Sequence, residues 1–192
     1  KGHDFPNVTL VGVLAADSML NIGDFRASER TFQLITQVAG RAGRGEIPGR
    51  VVIQTYNTED FSIVSACKHD YTGFYDQEIL LREKLGYPPF KNIALLIISG
   101  VNDRVAFSSA KEVKKLIEKE FSVLGNASAE VLGPSRSPLA KIKNRYRWRI
   151  VIKCRDEDIL INILSKVSDE FHKNRGRNAV ELSVDINPLN ML

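Results

Sequence analysis

The sequence has 192 residues, 43% hydrophobic and 26% charged, which is the balance of a folded globular protein and not of a disordered one. Its two cysteines lack CxxC spacing and its three histidines are scattered, so the sequence predicts neither a disulfide framework nor a metal site within the chain. The apolar runs are too short to span a bilayer and no secretory pattern occurs, which predicts a cytoplasmic protein with no membrane partner.

The first predicted elements form a strand, a helix and a strand. Residues 8–13 and 50–55 are apolar runs rich in β-branched residues, which favours strands buried on both faces of a parallel sheet. Between them, Ser28 is a suitable N-cap for an amphipathic helix. The apolar residues at helical spacing on this helix are Phe32, Leu34, Ile35, Val38, Ala39 and Ala42. A second helical stretch covers residues 59–85.

One acidic residue, Asp17, follows the first predicted strand. At the carboxyl end of a parallel strand its carboxylate could line a cleft. It could equally cap the turn that follows, and the sequence leaves both interpretations open.

The second half of the sequence predicts an α+β domain. Its elements are a strand at residues 92–99, a helix at 104–121, a short strand at 129–132, a longer strand at 145–154, a helix at 157–172 and a strand at 180–186. The order β-α-β-β-α-β is that of the ferredoxin-like fold, a scaffold that by itself says little about chemistry. We predict that this domain begins after the double proline at residues 88 and 89.

The sequence QVAGRAGR occupies residues 37–44. On a helix, Gln37, Arg41 and Arg44 would fall within a stripe of roughly 60° opposite the apolar face. Gly40 and Gly43 lack a Cβ, which would let a phosphate approach, and arginine binds phosphate oxygens with a planar fork. A solvated helix face followed by a glycine-rich end explains the same residues, so composition alone does not decide between the two.

Residues 37–44 resemble motif VI of the superfamily 2 helicases, QxxGRxGR, and KGHDFPNV at residues 1–8 resembles the end of their motif V. The two motifs occur in the family's order, which is more specific than either motif alone. Longer stretches resemble the primosomal protein N′ family of bacterial replication restart helicases, and they are residues 24–44, 69–90 and 133–153. The resemblance covers essentially the whole chain.

The resemblance implies three regions. Residues 1–60 would be the latter part of the second RecA-like helicase lobe, a parallel sheet with helices. Residues 61–89 would be a helical connector, and residues 90–192 a ferredoxin-like C-terminal domain that binds DNA and partners. The expected overall class is therefore α/β followed by α+β.

The resemblance also implies roles for single residues. Arg41 and Arg44 would reach the γ-phosphate of ATP bound on the first lobe, as phosphate sensor and arginine finger, and Gln37 would position nucleotide or water. These three are the expected catalytic residues. The expected nucleotide-binding residues are Gly2, Asp4 and Gly40, and Lys1 is expected on the DNA side.

The 192 residues contain no GxxxxGK[ST] phosphate loop and no DExH box. The resemblance assigns both motifs, with a cysteine-rich zinc segment, to sequence upstream of this chain. ATP and Mg²⁺ are therefore expected cofactors of the full-length protein and zinc is expected in the upstream segment, while this chain is expected to bind none of them wholly and to be inactive alone. The implied function is the C-terminal portion of an ATP-dependent 3′-to-5′ DNA helicase that remodels stalled forks and restarts replication.

The implied partners are forked and single-stranded DNA, single-stranded DNA-binding protein and components of the primosome. Two alternatives remain at this point. The chain could be a protein-interaction or DNA-binding module with no catalysis of its own, or it could belong to a different superfamily 2 remodeller that shares only motif VI.

Positive charge is concentrated in the second half, where residues 91–192 carry 18 lysines and arginines against 12 acidic residues. Within residues 134–155 there are eight basic residues and no acidic one. Every second position of one stretch is basic, and these are the expected DNA-binding residues Lys141, Lys143, Arg145, Arg147 and Arg149. On a strand, this alternation predicts charge on one face and Tyr146 and Trp148 on the other. The face would follow DNA phosphates, or it would be the solvated face of an edge strand.

Overall fold

The structure is a computed structural model that describes residues 7–42, 48–124, 129–173 and 180–191. The chain divides after residue 81 into two compact units. The fold is mixed α/β, with a two-stranded parallel sheet in the first unit and a four-stranded antiparallel sheet in the second. Among the described residues, none of the helices combines the length and the apolar character needed to cross a membrane.

The first unit contains a short parallel sheet with helices. In chain order its elements are β1 (Leu10–Val13), a 3₁₀ helix (Ala16–Ile22), α1 (Ala27–Ala39), β2 (Arg50–Ile53), α2 (Phe61–Cys67) and the first part of α3 (Tyr71–Leu85). The two strands are parallel, as predicted, with Leu10 opposite Arg50. The prediction that they are buried on both faces is wrong, because Leu10 is 63% and Val52 is 45% exposed. Among the described residues, helix α1 covers one face of the pair and leaves those side chains uncovered.

Helix α1 begins at Ala27, two residues before Glu29, where a cap at Ser28 would have begun it. The N-cap position is Arg26, and just before it the Asp24 carboxylate accepts a hydrogen bond from the Arg26 N–H at 3.0 Å while the Asp24 carbonyl accepts one from the Ala27 N–H. Phe32 and Ile35 pack in the core of the unit, but Leu34, predicted on the same apolar face, is 42% exposed.

The helical stretch predicted at residues 59–85 is two helices. Asp60 caps α2 by accepting a hydrogen bond from the Ser62 N–H at 2.9 Å. The chain then turns at His69, whose φ of 54° is left-handed, and the Asp70 carboxylate accepts from the Gly73 N–H at 2.8 Å to begin α3. A cap and a left-handed residue therefore interrupt a stretch whose apolar spacing is continuous.

The second unit has the predicted order β-α-β-β-α-β. After the end of α3, its elements are β3 (Asn92–Gly100), α4 (Asp103–Val123), β4 (Glu130–Ile142), β5 (Arg145–Cys154), α5 (Glu157–Lys173) and β6 (Val180–Ile186). The sheet order is β4-β5-β3-β6 and every neighbouring pair is antiparallel. Both helices pack on one face of the sheet, over a core that includes Leu96, Ile98, Ile117, Ile150 and Ile163.

Strand β4 is much longer than the strand predicted at residues 129–132. It follows β5 along most of its length through two register shifts, after Leu132 and after Arg136. Lys143 and Asn144 connect the two strands as a two-residue turn, both with positive φ, 47° and 64°. Two successive residues with positive φ are typical of the type I′ turn of a tight hairpin.

Candidate functional site

Three of the predicted phosphate-site residues lie in the described part of the first unit. Gln37 is exposed in the last turn of α1. Gly40 ends the helix and its N–H donates to the Thr36 carbonyl at 3.1 Å. Arg41 lies half-buried in the turn beyond, where its backbone N–H donates to the Val38 carbonyl at 3.0 Å.

The prediction of a single helical stripe is wrong for these residues, because α1 ends at Ala39 and Arg41 follows in a tight turn. Glycine at position 40 lowers helix propensity by about 1 kcal/mol relative to alanine, which favours an end at this point. The described residues offer the Arg41 guanidinium no hydrogen bond and no ion pair, so its donors remain available to an external anion. Lys1, Gly2, Asp4 and Arg44 lie outside the described residues, and their roles stay predictions.

Asp17 connects the elements that follow the two parallel strands. Its carboxylate accepts a hydrogen bond from the Tyr56 N–H at 3.2 Å, which ties the 3₁₀ helix to the chain beyond β2. A hydrogen bond from the Thr55 hydroxyl, with further bonds from the Asp17 and Tyr56 backbone, lowers the pKa of this carboxyl. These contacts join Asp17 to the chain beyond β2 and do not cap the 3₁₀ helix, so they do not support the capping interpretation, and the cleft-lining interpretation stays a prediction.

The predicted basic strand is β5, which lies between β4 and β3. The expectation of an edge strand is therefore wrong, since β5 is an interior strand of the sheet, while the alternative of a half-buried strand with a merely solvated outer face stays open. Arg145, Arg147 and Arg149 alternate with Trp148 and Ile150, and they lie on the face opposite the two helices. We call these three residues the arginine face.

The residues of the arginine face are half-buried and bonded to their own chain. Arg145 donates to the Ser99 carbonyl at 2.9 Å and pairs with Glu181 at 3.4 Å. Arg147 donates to the Leu139 carbonyl at 3.4 Å, and Arg149 donates to the Met191 carbonyl at 3.4 Å. The guanidinium groups are thus oriented by the fold, and part of their donor capacity is already used.

An open cavity of about 540 Å³ lies at the hairpin end of this face. Its lining includes Lys143, Arg145, Arg147, His172 and Glu181. One lysine and two arginine side chains against one carboxylate make the cavity positive, which suits an anionic group.

The prediction that all five alternating basic residues share one face is wrong for the first two. The hairpin turn contains Lys143, so this residue is on neither strand. Lys141 is opposite Tyr146 in the hairpin register, and directly opposed residues of antiparallel strands point to the same face. The Lys141 side chain therefore lies on the helix side of the sheet, and its ammonium is 4.6 Å from the centroid of the Tyr146 ring.

Sequence reasoning missed a second cationic surface on that helix side, between the hairpin and α4. We call it the aromatic surface, and it consists of Phe107, Lys111, Arg136, Lys141, Tyr146 and Trp148. Phe107 and Trp148 pack with ring centroids 4.3 Å apart. The Trp148 N–H donates to the Asp103 carboxylate at 2.9 Å, and Arg136 pairs with the same carboxylate at 2.7 Å. Phe107 and Lys111 come from another element, 37 to 41 positions before Trp148, so no local sequence pattern joins them to the hairpin.

Residues 83–189 match a family model described as the primosomal protein N C-terminal domain. Curated relatives named replication restart protein PriA align with the chain as well. The relative from Bacillus subtilis is 44% identical over 100% of this chain, the one from Synechocystis 40% identical over 100%, and the one from Chlamydia muridarum 36% identical over 98%. The chain spans about a quarter of the length of these relatives, with 23%, 22% and 24% covered.

Solved structures resemble the chain only distantly. The de novo designed protein Foldit4 aligns with 50% of this chain and 96% of its own, at a TM-score of 0.37 and 15% identity. At that similarity the alignment carries no argument about fold or function.

Proposed function

The chain belongs to the primosomal protein N C-terminal domain family, and from that premise we propose that it is the C-terminal portion of an ATP-driven DNA helicase that restarts replication at stalled forks. The observation that carries the proposal is the family match over residues 83–189, with relatives named replication restart protein PriA that align over the whole chain. We propose translocation in the 3′-to-5′ direction, as the resemblance to the bacterial replication restart helicases implies.

The first unit is proposed to be the end of the second RecA-like lobe, with the division at residues 60 and 89 that the sequence suggests. The order strand, helix, strand, with β1 and β2 parallel and α1 between them in the chain, supports this proposal. So does the Arg41 guanidinium at a glycine turn, because a cation for which the described residues provide no ion pair suits a phosphate brought by another lobe. Arg41, Arg44 and Gln37 would bind and orient the γ-phosphate of ATP, with Gly2, Asp4 and Gly40 beside the nucleotide.

ATP and Mg²⁺ would be held mainly by upstream residues of the full-length protein, and zinc by an upstream segment. ATP supplies the phosphoryl group whose transfer drives movement. The contribution of this chain would be positive charge oriented toward the transferring group, which is worth about 10³–10⁵ in rate for an arginine finger.

The 192-residue chain alone is expected to show no ATPase activity, with or without DNA, because its sequence contains no phosphate loop and no DExH box. Phosphate release should stay at the level of a buffer blank in a coupled assay with single-stranded DNA present. A mock purification controls for contaminating ATPases. DNA-stimulated release that copurifies with the chain would show that these residues suffice for hydrolysis.

We propose that the second unit binds forked and single-stranded DNA, and that its DNA-binding residues include Lys141, Lys143, Arg145, Arg147 and Arg149, with Lys1 from the first unit. The arginine face supports a contact with the sugar-phosphate backbone, because three guanidinium groups are oriented on one face of a sheet. Single-stranded DNA-binding protein and primosome components are proposed as protein partners.

Salt dependence tests the arginine face. Arg145→Gln with Arg147→Gln should reduce the slope of log K against log salt by roughly 1.4 to 1.8, because each neutralised phosphate contact contributes about 0.7 on single strands and about 0.9 on duplex. Binding to a forked oligonucleotide is measured by fluorescence anisotropy between about 50 and 200 mM salt. The control is Lys68→Gln with Arg155→Gln, which removes the same charge from two exposed side chains elsewhere.

A second candidate function is a protein-interaction platform. The observation that favours it is that Arg145 and Arg147 already bond the Ser99 and Leu139 carbonyls, as structural arginines do. A slope that is the same in the double variant and in the wild-type chain would favour the platform over a backbone contact at this face.

A further inference from the structure

We propose that the aromatic surface binds unpaired bases of single-stranded DNA by stacking. The inference rests on the proposed DNA-binding function. It assigns different DNA contacts to the two faces of one sheet. The arginine face would contact the backbone of paired DNA, and the aromatic surface would contact the unpaired strand beside it.

In the aromatic surface, each aromatic ring is in contact with a lysine or arginine side chain. Each of the three rings has one cation above it: Lys141 Nζ at 4.6 Å from the Tyr146 centroid, Arg136 Cζ at 5.0 Å from Trp148, and Lys111 Nζ at 4.8 Å from Phe107. Tyr146 and Trp148 are two residues apart on β5, so both rings point to the same face, about 7 Å apart along the strand. Half-buried aromatic rings beside cations are the arrangement that proteins use to stack bases while attracting phosphates.

The electrostatics of this surface favour a polyanion. The carboxylate in contact with it, Asp103, is neutralised because it accepts hydrogen bonds from both Arg136 and Trp148. Lys111 and Lys141 add two positive charges for which the described residues provide aromatic contacts and no ion pair. The surface is therefore net positive. Apart from the contact between Phe107 and Trp148, the side chains over its rings are the cations of Lys111, Arg136 and Lys141.

Base binding can proceed by exchange. Lys141 is exposed and the Arg136 side chain is 53% exposed, so either cation can leave its ring without unpacking the core, although Arg136 would then exchange its ion pair with Asp103 for the incoming phosphate. A base would take the place over the ring, and the displaced cation would move to the phosphate that the base brings with it. The arginine face cannot act in this way, because Arg145 and Arg147 are held by backbone carbonyls and the face presents no exposed ring among its three residues.

Trp148 provides a direct readout, since it is the one tryptophan in the 192-residue sequence. A base stacked on its ring should quench fluorescence excited at the tryptophan absorption edge. The 192-residue chain is titrated with an oligothymidylate and with an abasic oligonucleotide of the same length, which has the phosphates and no bases. Binding of both is followed in parallel by anisotropy of an end label.

We expect the oligothymidylate to quench Trp148 and to bind roughly 5- to 150-fold more tightly per stacked base than the abasic strand, which follows from the usual stacking energy. Tyr146→Leu, which keeps apolar bulk, should remove most of this preference. Lys111→Gln with Lys141→Gln should weaken binding of both strands and leave the preference for bases. Lys68→Gln with Arg155→Gln is the matched control, because it removes the same charge from two exposed side chains that belong to neither surface, and it should leave the quenching unchanged.

The outcomes separate this inference from the proposed function. Binding of both strands with equal affinity and no quenching would overturn the stacking surface and leave DNA binding intact. Failure of both strands to bind at low salt, with the fold verified by far-UV circular dichroism, would overturn both the stacking surface and the proposed DNA binding. Quenching that survives in Tyr146→Leu with an unchanged base preference would also overturn the inference, because two stacked rings are proposed to act together.

Discussion

Arg44→Ala in the full-length protein is expected to lower kcat for ATP hydrolysis by about 10³-fold or more, with a much smaller change in nucleotide affinity. The physical reason is that an arginine finger stabilises charge that develops on the γ-phosphoryl group in the transition state and is weaker in the ground state. Steady-state hydrolysis with single-stranded DNA present gives kcat, and binding of a non-hydrolysable nucleotide gives the affinity separately.

Two variants make this prediction specific. Arg44→Lys keeps the positive charge but loses the planar fork, so most of the loss should remain. Arg50→Ala removes an exposed arginine at the start of β2 and should leave kcat close to wild type. Near-normal turnover of Arg44→Ala would show that the glycine and arginine pattern is structural and that another residue supplies the charge.

The regular pattern of the second unit could be predicted from the sequence because its periodicities are strong. Apolar residues alternate in β5 and recur at helical spacing in α4, and each pattern is produced by one face packing on one core. The order β-α-β-β-α-β follows from these patterns, and so does the packing of Ile150 in the core. Alternation also correctly put Arg145, Arg147 and Arg149 on the opposite face.

The reversal of the chain at Lys143 and Asn144 is what alternation alone could not give. A two-residue turn makes Ile142 the partner of Arg145 and Lys141 the partner of Tyr146. A rule that every second residue shares a face holds only within one strand. Applied across the turn, it assigns Lys141 to the wrong face of the sheet. A two-residue turn of this type requires positive φ at both Lys143 and Asn144. Asn144 is a weak sequence signal for such a turn, because asparagine adopts positive φ more readily than most residues.

The end of α1 was missed for a related reason. Apolar spacing continues to Ala42, but the chain leaves the helix at Gly40, and glycine favours an end there because ordering it in a helix costs about 1 kcal/mol relative to alanine. This matters for the candidate phosphate site because Arg41 is then held by a turn and not by a helix. The position of its guanidinium depends on the turn, which no periodicity describes.

The largest expected effect on stability is that of Trp148→Ala, which should lower the free energy of unfolding by about 3–5 kcal/mol. The indole packs against Phe107 and against the edge of the core, and its N–H is bonded to Asp103 at the start of α4. Truncation removes that packing and leaves Asp103 with Arg136 as its remaining side-chain partner. The ring is half-buried, so the loss should lie at the lower end of the range.

Trp148→Phe separates the two contributions, because it keeps a ring against Phe107 and removes the N–H donor, at a cost of about 1 kcal/mol from the lost hydrogen bond. Both variants are compared by urea unfolding followed with far-UV circular dichroism, which does not depend on the tryptophan. Arg147→Ala, one residue away on the opposite face, is the control and should cost less than Trp148→Ala. If Trp148→Ala instead lowered the free energy of unfolding by less than Arg147→Ala does, the packing of the Trp148 ring against α4 would not stabilise the fold. The aromatic surface would then be a set of exposed rings held by their cations alone.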